Sequence, residues 1–453
     1  MQVSAVESKQ VIVGLGLTGL SCARYLARAN KEFSVVDSRE LPPGLDEFRA
    51  EFPAVPLSLG EFSDDCFSGA DLLVVSPGVA LEEPAIAKAI ADDVDVCGDI
   101  DLFRAEAKAP IVAITGSNGK STVTTLLGEM ARAAGKNVAV GGNIGIPVLD
   151  LLADKEPDLY VLELSSFQLE RTKQLNAAVA TVLNLSADHM DRYESFDAYR
   201  QAKHRIFTGV TTAVVNRADL QSRPLSVDGK NLITFGLDNS SANGFGVIAI
   251  DGSDYLSFDN KPLLPVHELK IVGQHNIENA LAALALGVAV GLEMAPMLKA
   301  LKAFTGLAHR CQFIAEWAGV RYYNDSKGTN VGASIAAITG LVATAEKIIL
   351  IAGGVAKGAD FAPLLPVLKA HVRAVIVIGE AAAELQCLCG EEVKAIPAVS
   401  LQEAVSFTAA QACEGDAVLL SPACASFDMF NDYQHRGEQF TAAVLAMTKA
   451  GGS

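Results

Sequence analysis

Cysteine pairs at metal or redox spacing are missing from the chain. Its eight cysteines, at 22, 66, 97, 311, 387, 389, 413 and 424, form no CxxC and no Cys/His cluster. That excludes a structural zinc module and a thioredoxin-like motif, and leaves reduced, mostly buried thiols as the expectation. Basic residues are also few, 36 Lys and Arg against 53 Asp and Glu, for a formal net charge of −17. A nucleic-acid surface needs a concentrated basic footprint, and none is present. Long apolar runs are lacking too. The stretch 280–292, between Glu278 and Glu293, is shorter than the roughly 18 residues of a membrane span and reads as a buried helix. The opening MQVSAVESKQ has no basic start and apolar core, so it predicts no export and a cytoplasmic protein.

What is present is an α/β composition. Half of the 453 residues are hydrophobic and a fifth are charged, enough for several cores at roughly 100 to 200 residues per domain. Short β-branched runs alternate with helical patterns: VIVGLG, FSVVDS and DLLVVSPG in the first hundred residues, then LYVLELSS, AVATVLNL and TAVVN, then EKIILIAGG, AVIVIGE and AVLLSPAC. The rhythm predicts three α/β domains with parallel sheets, over 1–98, 99–306 and 307–453. The first and last read as Rossmann-like and the middle one as P-loop-type. Between about 225 and 265 the runs become short and rich in Gly, Asp, Asn and Ser, which predicts a small antiparallel β portion attached to the middle domain.

Two glycine turns follow predicted strands. Gly14-Leu15-Gly16-Leu17-Thr18-Gly19 is a G-x-G-x-x-G, with Asp37 ending the next strand. Such a turn lets a diphosphate approach a helix N-terminus, and its first reading is an NAD-dependent oxidoreductase; a turn that only packs strand on helix is the plainer alternative. The second turn, Thr115-Gly116-Ser117-Asn118-Gly119-Lys120-Ser121-Thr122, follows a strand over 111–114. Its glycine spacing is two residues shorter than the usual P-loop, yet the order of strand, turn, lysine, hydroxyl and helix is intact. It predicts ATP binding, with Lys120 on the terminal phosphates and Ser121 or Thr122 on Mg²⁺. Hydride transfer has no use for this second loop. Downstream stand Glu163 at a strand end and His189, with Asp191, in ADHMDRY; the strand-end carboxylate and the imidazole are apt Mg²⁺ ligands, although Glu163 and His189 are more often satisfied polar groups. Lys203 lies on a predicted helix, where an exposed or paired ammonium is the default. A nucleotide-binding scaffold without catalysis is a further alternative.

TGSNGKST, LELSSFQL, NLSADHMDRY, YRQAKHRIF, GQHNIENALAAL, HRCQF, NDSKGTN and SPACASFD follow one another in this order. Together, from GLGLTGLS to HRGEQF, they resemble the Mur ligase family, most closely its D-glutamate-adding branch. The resemblance implies an ATP-dependent amide ligase of peptidoglycan precursor synthesis. It would join D-glutamate to UDP-N-acetylmuramoyl-L-alanine through an acyl phosphate, as a monomer with no membrane or nucleic-acid partner. It turns the first glycine motif from NAD to the uridine nucleotide, with Leu17, Thr18, Asp37, Ser38, Arg39 and Gly78 holding it and Asn143 meeting the sugar-peptide portion. ATP would lie on Gly116, Ser117, Asn118, Gly119, Lys120, Ser121 and Thr122, with Asn276, Asn279, Arg310 and Asp325 at adenine and ribose. Two Mg²⁺ ions would be attended by Ser121 or Thr122 with Glu163, and by His189 with a carbamylated Lys203. Lys120, His189 and Lys203 are the implied catalytic groups. D-glutamate would meet Lys327, Thr329, Lys357, Ser426 and Tyr433; at Tyr433 the family pattern has Phe. Closure of the last domain over the middle one is also expected.

Overall fold

The computed structural model describes residues 9–450, apart from 153–154, 227–228, 230, 240–242, 272 and 343–344. The start of the chain that bears on export, residues 1–8, lies outside them. The chain forms three sheets in sequence order, of five, nine and six strands.

In the first sheet, Gln10–Val13 sits between Phe33–Asp37 and Leu72–Val75, with Leu57–Leu59 and Asp95–Cys97 on the edges, and all neighbours are parallel. The central strand is buried along its whole length, as a parallel strand covered by helices on both faces must be. Connections leave Gln10–Val13 to one side and return to the other, so strand order reverses between Val13 and Val75. Ligands of such sheets bind beyond the carboxyl ends at this reversal.

The second sheet repeats that plan around Ile111–Thr115, flanked by Leu159–Glu163 and Val179–Val182, with Val138–Gly142 and Thr212–Asn216 farther out. The expected antiparallel portion is present but smaller than its predicted span. Gly244–Ile250, Ser253–Phe258 and Lys261–Pro265 form an antiparallel meander, whereas Asn231–Phe235 pairs parallel with both Thr212–Asn216 and Gly244–Ile250. The meander thus extends the parallel sheet rather than forming a separate layer. Helix Gln274–Ala289 is buried from Asn279 to Gly287, and its alanines let it lie close against helix Lys120–Ala133 in one shared apolar core. This is the buried helix expected from the apolar stretch. Among the described residues no helix is long and apolar enough to cross a membrane.

The third sheet orders its parallel strands as Val320–Asn324, Ala417–Leu420, Ile348–Gly353, Val372–Ile378 and Lys394–Pro397, with Gln312–Trp317 antiparallel on one edge. Its reversal falls between Gly353 and Leu420. The cysteines are unpaired, but only Cys22, Cys97, Cys389 and Cys424 are buried; Cys66 and Cys311 are partly covered and Cys387 and Cys413 exposed. The expectation of mostly buried thiols is therefore half right, because residue type does not say which face of a helix a thiol occupies.

Candidate functional site

Three cavities open at the carboxyl ends of these sheets. The first, of about 620 Å³, is lined by Gly14, Gly16, Leu17, Thr18, Asp37, Ser38, Arg39 and Gly78, and also by Asn143 and Ser165 of the second sheet's loops. All seven residues predicted for the uridine nucleotide and its appended portion line it. Gly14 has φ +96°, and a Cβ on Gly19 would lie 1.9 Å from the Gly14 carbonyl oxygen, so the turn has room only for glycine at both positions. Asp37 is buried. It accepts a 2.6 Å bond from the Leu15 amide and bonds of 2.8 and 2.7 Å from Arg39 Nε and an Arg39 terminal nitrogen. Burial works against its ionisation, but the bonds from Arg39 and Leu15 prevail and hold its pKa below the usual carboxylate value.

The second cavity, about 90 Å³, lies between the second and third sheets. Asn118, Gly119, Thr122, Asn276, Asn279, Arg310 and Asp325 line it. Gly119 has φ +82° and a Cβ there would be 2.3 Å from Asn279 Oδ1, so the glycine admits both the turn and the approach of Asn279. Asn118 is locked to Asn184, its amide donating to Oδ1 at 2.8 Å and its carbonyl accepting from Nδ2 at 3.1 Å. Asp325 accepts from Ser421 Oγ at 2.7 Å and from the Cys311 amide at 3.1 Å, so both its oxygens already have partners within the third unit. Burial pushes its pKa up to about 6.

The third cavity, about 280 Å³, continues from the second. It is lined by Ser117, Lys120, Ser121, Glu163, His189 and Lys203 from the central unit, and by Arg310, Lys327, Thr329, Lys357, Ser426 and Tyr433 from beyond it. Every residue predicted for catalysis, metal and D-glutamate thus faces this space, apart from Thr122, which lines the second cavity. Asn143 and Ser165 line both this cavity and the first, so the two adjoin. Lys120 Nζ donates to the carbonyls of Gly116 and Ser117, each at 2.9 Å. Lys203 is 2% exposed; its Nζ donates to the Gly116 carbonyl at 2.9 Å and sits 4.8 Å from the Tyr199 ring centroid. Burial, reinforced by Lys120, drives its pKa well below the ordinary lysine value. It is neither the exposed nor the paired ammonium that its helical position suggests by default. Glu163 Oε1 accepts from Asn143 Nδ2 at 2.8 Å, while Oε2 is buried without a hydrogen-bond partner among the described residues. His189 has φ 58° and packs edge-on to Phe167 with centroids 4.9 Å apart. Burial lowers its pKa, Asp188 opposing. Lys327 Nζ lies 3.8 Å from the Tyr433 ring centroid, and burial, with Arg310 and Lys120 nearby, brings its pKa down to about 8.

Asp191 is exposed and outside this lining; Asp188, three residues earlier, faces the cavity instead. Asp188 Oδ2 accepts from Asn330 Nδ2 at 3.3 Å, and the same amide nitrogen reaches Asn118 Oδ1 at 3.2 Å. Arg310 donates to Ser121 Oγ at 2.7 Å. Asn330 and Arg310 therefore tie the third unit to the phosphate loop. Asp188 and Asn330 stand inside the motifs ADHMDRY and NDSKGTN, which are the signals that could have singled them out.

As chemistry, the third cavity joins five nitrogen cations or near-cations, Lys120, Lys203, Arg310, Lys327 and Lys357, to a carboxylate with a free oxygen and a neutral-leaning imidazole. Among the described residues no three His, Cys, Asp or Glu side chains gather as a metal cluster. Glu163 and His189 are the members of the expected set that belong to those types, the rest being hydroxyls and Lys203. The orphaned Glu163 Oε2 and the hydroxyls of Ser121 and Thr122 are hard oxygen donors of the kind Mg²⁺ takes.

Sequence comparison agrees along the chain. Residues 8–98 match the Mur ligase MurD-like N-terminal domain, 114–287 the Mur ligase middle domain, and 309–424 the Mur ligase glutamate ligase domain. The UDP-N-acetylmuramoylalanine–D-glutamate ligase of Marinobacter nauticus is 54% identical over 444 residues, covering 98% of this chain and 99% of that protein. The enzyme of the same name from Pseudomonas aeruginosa is 55% identical over 445 residues, with the same coverage. Among solved structures, UDP-N-acetylmuramate-alanine ligase from Thermotoga maritima has a TM-score of 0.61 at 20% identity, covering 97% of this chain and 99% of its own. The MurF ligase of the same organism, solved in complex with ADP, has a TM-score of 0.61 at 17% identity, covering 98% and 96%. With three domain matches in order and more than half of all residues identical to full-length relatives, the chain belongs to the Mur ligase family.

Proposed function

We propose that the protein is an ATP-dependent ligase that joins D-glutamate to UDP-N-acetylmuramoyl-L-alanine in peptidoglycan precursor synthesis. The observation that carries this reading is the 280 Å³ cavity, where the phosphate-loop lysine and the basic groups of the third unit face one space that adjoins the first cavity across Asn143 and Ser165. The full-length identity to D-glutamate ligases supports the choice of amino acid, and a fold neighbour captured with ADP supports ATP. The division at 98 and 306 belongs to the same reading, each part contributing one sheet and one ligand. An oxidoreductase would leave the phosphate loop without a task, and the full-length relatives are ligases.

The uridine nucleotide lies in the first cavity on Leu17, Thr18, Asp37, Ser38, Arg39 and Gly78, and Asn143 meets the muramoyl-alanyl portion where it passes into the reaction cavity. Gly116–Thr122 wrap the phosphates of ATP, with Asn276, Asn279, Arg310 and Asp325 toward adenine and ribose. The terminal carboxylate of the UDP-linked substrate attacks the γ-phosphorus, ADP leaves, and an acyl phosphate results. Lys120 balances the charge that gathers on the transferring group. The amine of D-glutamate then attacks the acyl carbon, loses a proton, and expels phosphate as the amide forms. Lys327, Thr329, Lys357, Ser426 and Tyr433 hold the amino acid, the two lysines opposite its carboxylates. Mg²⁺ fits Ser121, Thr122 and Glu163, and a second ion fits His189 with Lys203 once that amine is carbamylated; when bound, the ions neutralise phosphate charge. An ammonium cannot ligate a cation, but a buried amine with a depressed pKa is the form that captures CO₂.

Phosphate release from ATP and Mg²⁺, measured with UDP-N-acetylmuramoyl-L-alanine and with D-glutamate, L-glutamate, meso-diaminopimelate or L-alanine, tests this. Release that requires both substrates and prefers D-glutamate is expected. Preference for another amine would overturn the choice of amino acid, and ATP binding with no substrate-dependent release would overturn the ligase.

A further inference from the structure

Arg171 ends the short helix Ser166–Arg171 of the central unit, and its side chain is 1% exposed. One terminal nitrogen donates to the Phe167 carbonyl at 2.6 Å, and the other crosses to the first unit and donates to the Val79 carbonyl. Its Nε has no partner among the described residues, and its carboxylate neighbour is the partly exposed Glu170 at 3.2 Å. A guanidinium buried with so little compensating charge is costly to the fold. Its placement is therefore better explained by what it connects. Val79 lines the first cavity, and Phe167 lines the reaction cavity. Arg192 runs beside it, with a terminal nitrogen 3.4 Å from the Gly78 carbonyl and its guanidinium carbon 5.1 Å from the Phe167 ring centroid. The chain passes between the two units at this point: a Cβ on Gly98 would lie 3.2 Å from the Arg171 Cβ.

We propose that Arg171 is a positioning residue that fixes the Gly78–Val79 turn of the first cavity against Phe167 of the reaction cavity, so that a substrate spanning both finds them in one register. The proposal rests on the ligase reading, because it needs a ligand whose nucleotide end and reacting carboxylate occupy different units. It separates two ligands that share the same nucleotide. UDP alone touches the first cavity and is indifferent to the register. UDP-N-acetylmuramoyl-L-alanine must reach across and depends on it.

The test is calorimetric titration of the full-length protein and its Arg171→Met and Arg171→Lys variants with each ligand, alongside steady-state kinetics. For Arg171→Met the affinity for UDP should stay within about twofold, while that for the full substrate falls about ten- to a hundredfold, the equivalent of one hydrogen bond from a charged donor. The KM for that substrate should rise while the KM for ATP stays unchanged. Arg171→Lys keeps the stem and charge but can reach one carbonyl at a time, so it should fall between, and it carries the test if the Met variant does not fold. Equal losses for both ligands would reduce Arg171 to shaping its own loop. An undiminished affinity for the full substrate, or a lysine variant matching the parent protein, would overturn the bridge. A parent protein that binds UDP but not the full substrate would overturn the ligase reading first and the proposal with it.

Discussion

The two glycine turns of this chain are built alike and surrounded differently. Each follows the central strand of a parallel sheet, each opens a helix, and each lies where strand order reverses. Around Gly14–Gly19 the cavity is wide, and its one buried carboxylate, Asp37, is already neutralised by Arg39 at 2.7 Å. Around Gly116–Thr122 the cavity is smaller, and Lys120, Lys203, Arg310 and Lys327 crowd against Glu163 and Asp188. Turn geometry suits both to a phosphate; on the proposed function, the charge left unbalanced is what distinguishes the turn assigned to phosphoryl chemistry.

Removing charge from the second turn should therefore cost most. Lys120→Ala is expected to lower kcat on the order of 10² to 10³, with UDP affinity unchanged. A turnover equal to the parent's would erase the contrast between the turns. The mirror experiment is Arg39→Ala, which leaves Asp37 without its cation in the cavity proposed for the uridine nucleotide. We expect the KM for the UDP-linked substrate to rise roughly tenfold, the scale of a lost charge-assisted pair, with the KM for ATP unmoved. A change in the KM for ATP instead would show that the cavities are not separable.

The contrast was only half visible in the residue string. Both turns could be read, because strand, glycine and helix are local and each central strand is a short uninterrupted apolar run. Edge strands such as Leu57–Leu59, Asp95–Cys97 and Lys394–Pro397 were not, being short and exposed on one side. Asn231–Phe235 was misjudged because its Gly- and Asn-rich flanks suggest hairpins while its partner strands are parallel. At the site, the motif ADHMDRY does not say which of its two carboxylates turns inward; Asp188 faces the cavity and Asp191 does not. The bond from Asn330 to Asn118 spans 212 positions, and no local pattern encodes it.

A smaller effect sharpens the charge argument through pH. Burial and its cationic neighbours bring Lys327 down to about 8, so its ammonium is lost as pH rises through that value. If it holds a glutamate carboxylate, the KM for D-glutamate should climb several-fold between about pH 7 and 9, one unit either side of that pKa. Bound glutamate itself stabilises the ammonium, so the midpoint should move upward at saturation. A flat profile for that KM over the same range would remove Lys327 from amino-acid binding.

The smallest expected effect compares two buried carboxylates near the first cavity. Asp37 has Arg39; Asp99 has no such cation, and the side chain that meets it is Gln168, which lines the cavity and donates to Oδ2 at 3.2 Å, while Oδ1 is buried without a partner among the described residues. Burial pushes the pKa of Asp99 up to about 6, above the unfolded value of about 3.9. Between those values the folded chain holds a proton that the unfolded chain has released, so stability falls as pH rises through the window. Above it the ionised group carries the full cost, on the order of 1 to 3 kcal/mol. Asp99→Asn keeps an acceptor for Gln168 and places no charge there. It should raise the thermal midpoint of unfolding by a few degrees at pH 7 and lose that advantage below about pH 4, where the parent carboxyl is neutral in both states. Asp37→Asn should behave oppositely. The depressed pKa of Asp37 contributes stability above its unfolded value that is lost only as pH falls through the folded one, so the asparagine variant should be less stable at pH 7. Equal shifts for the two variants at neutral pH would mean that Arg39 does not neutralise the first cavity, and the distinction drawn between the two turns would fall with it.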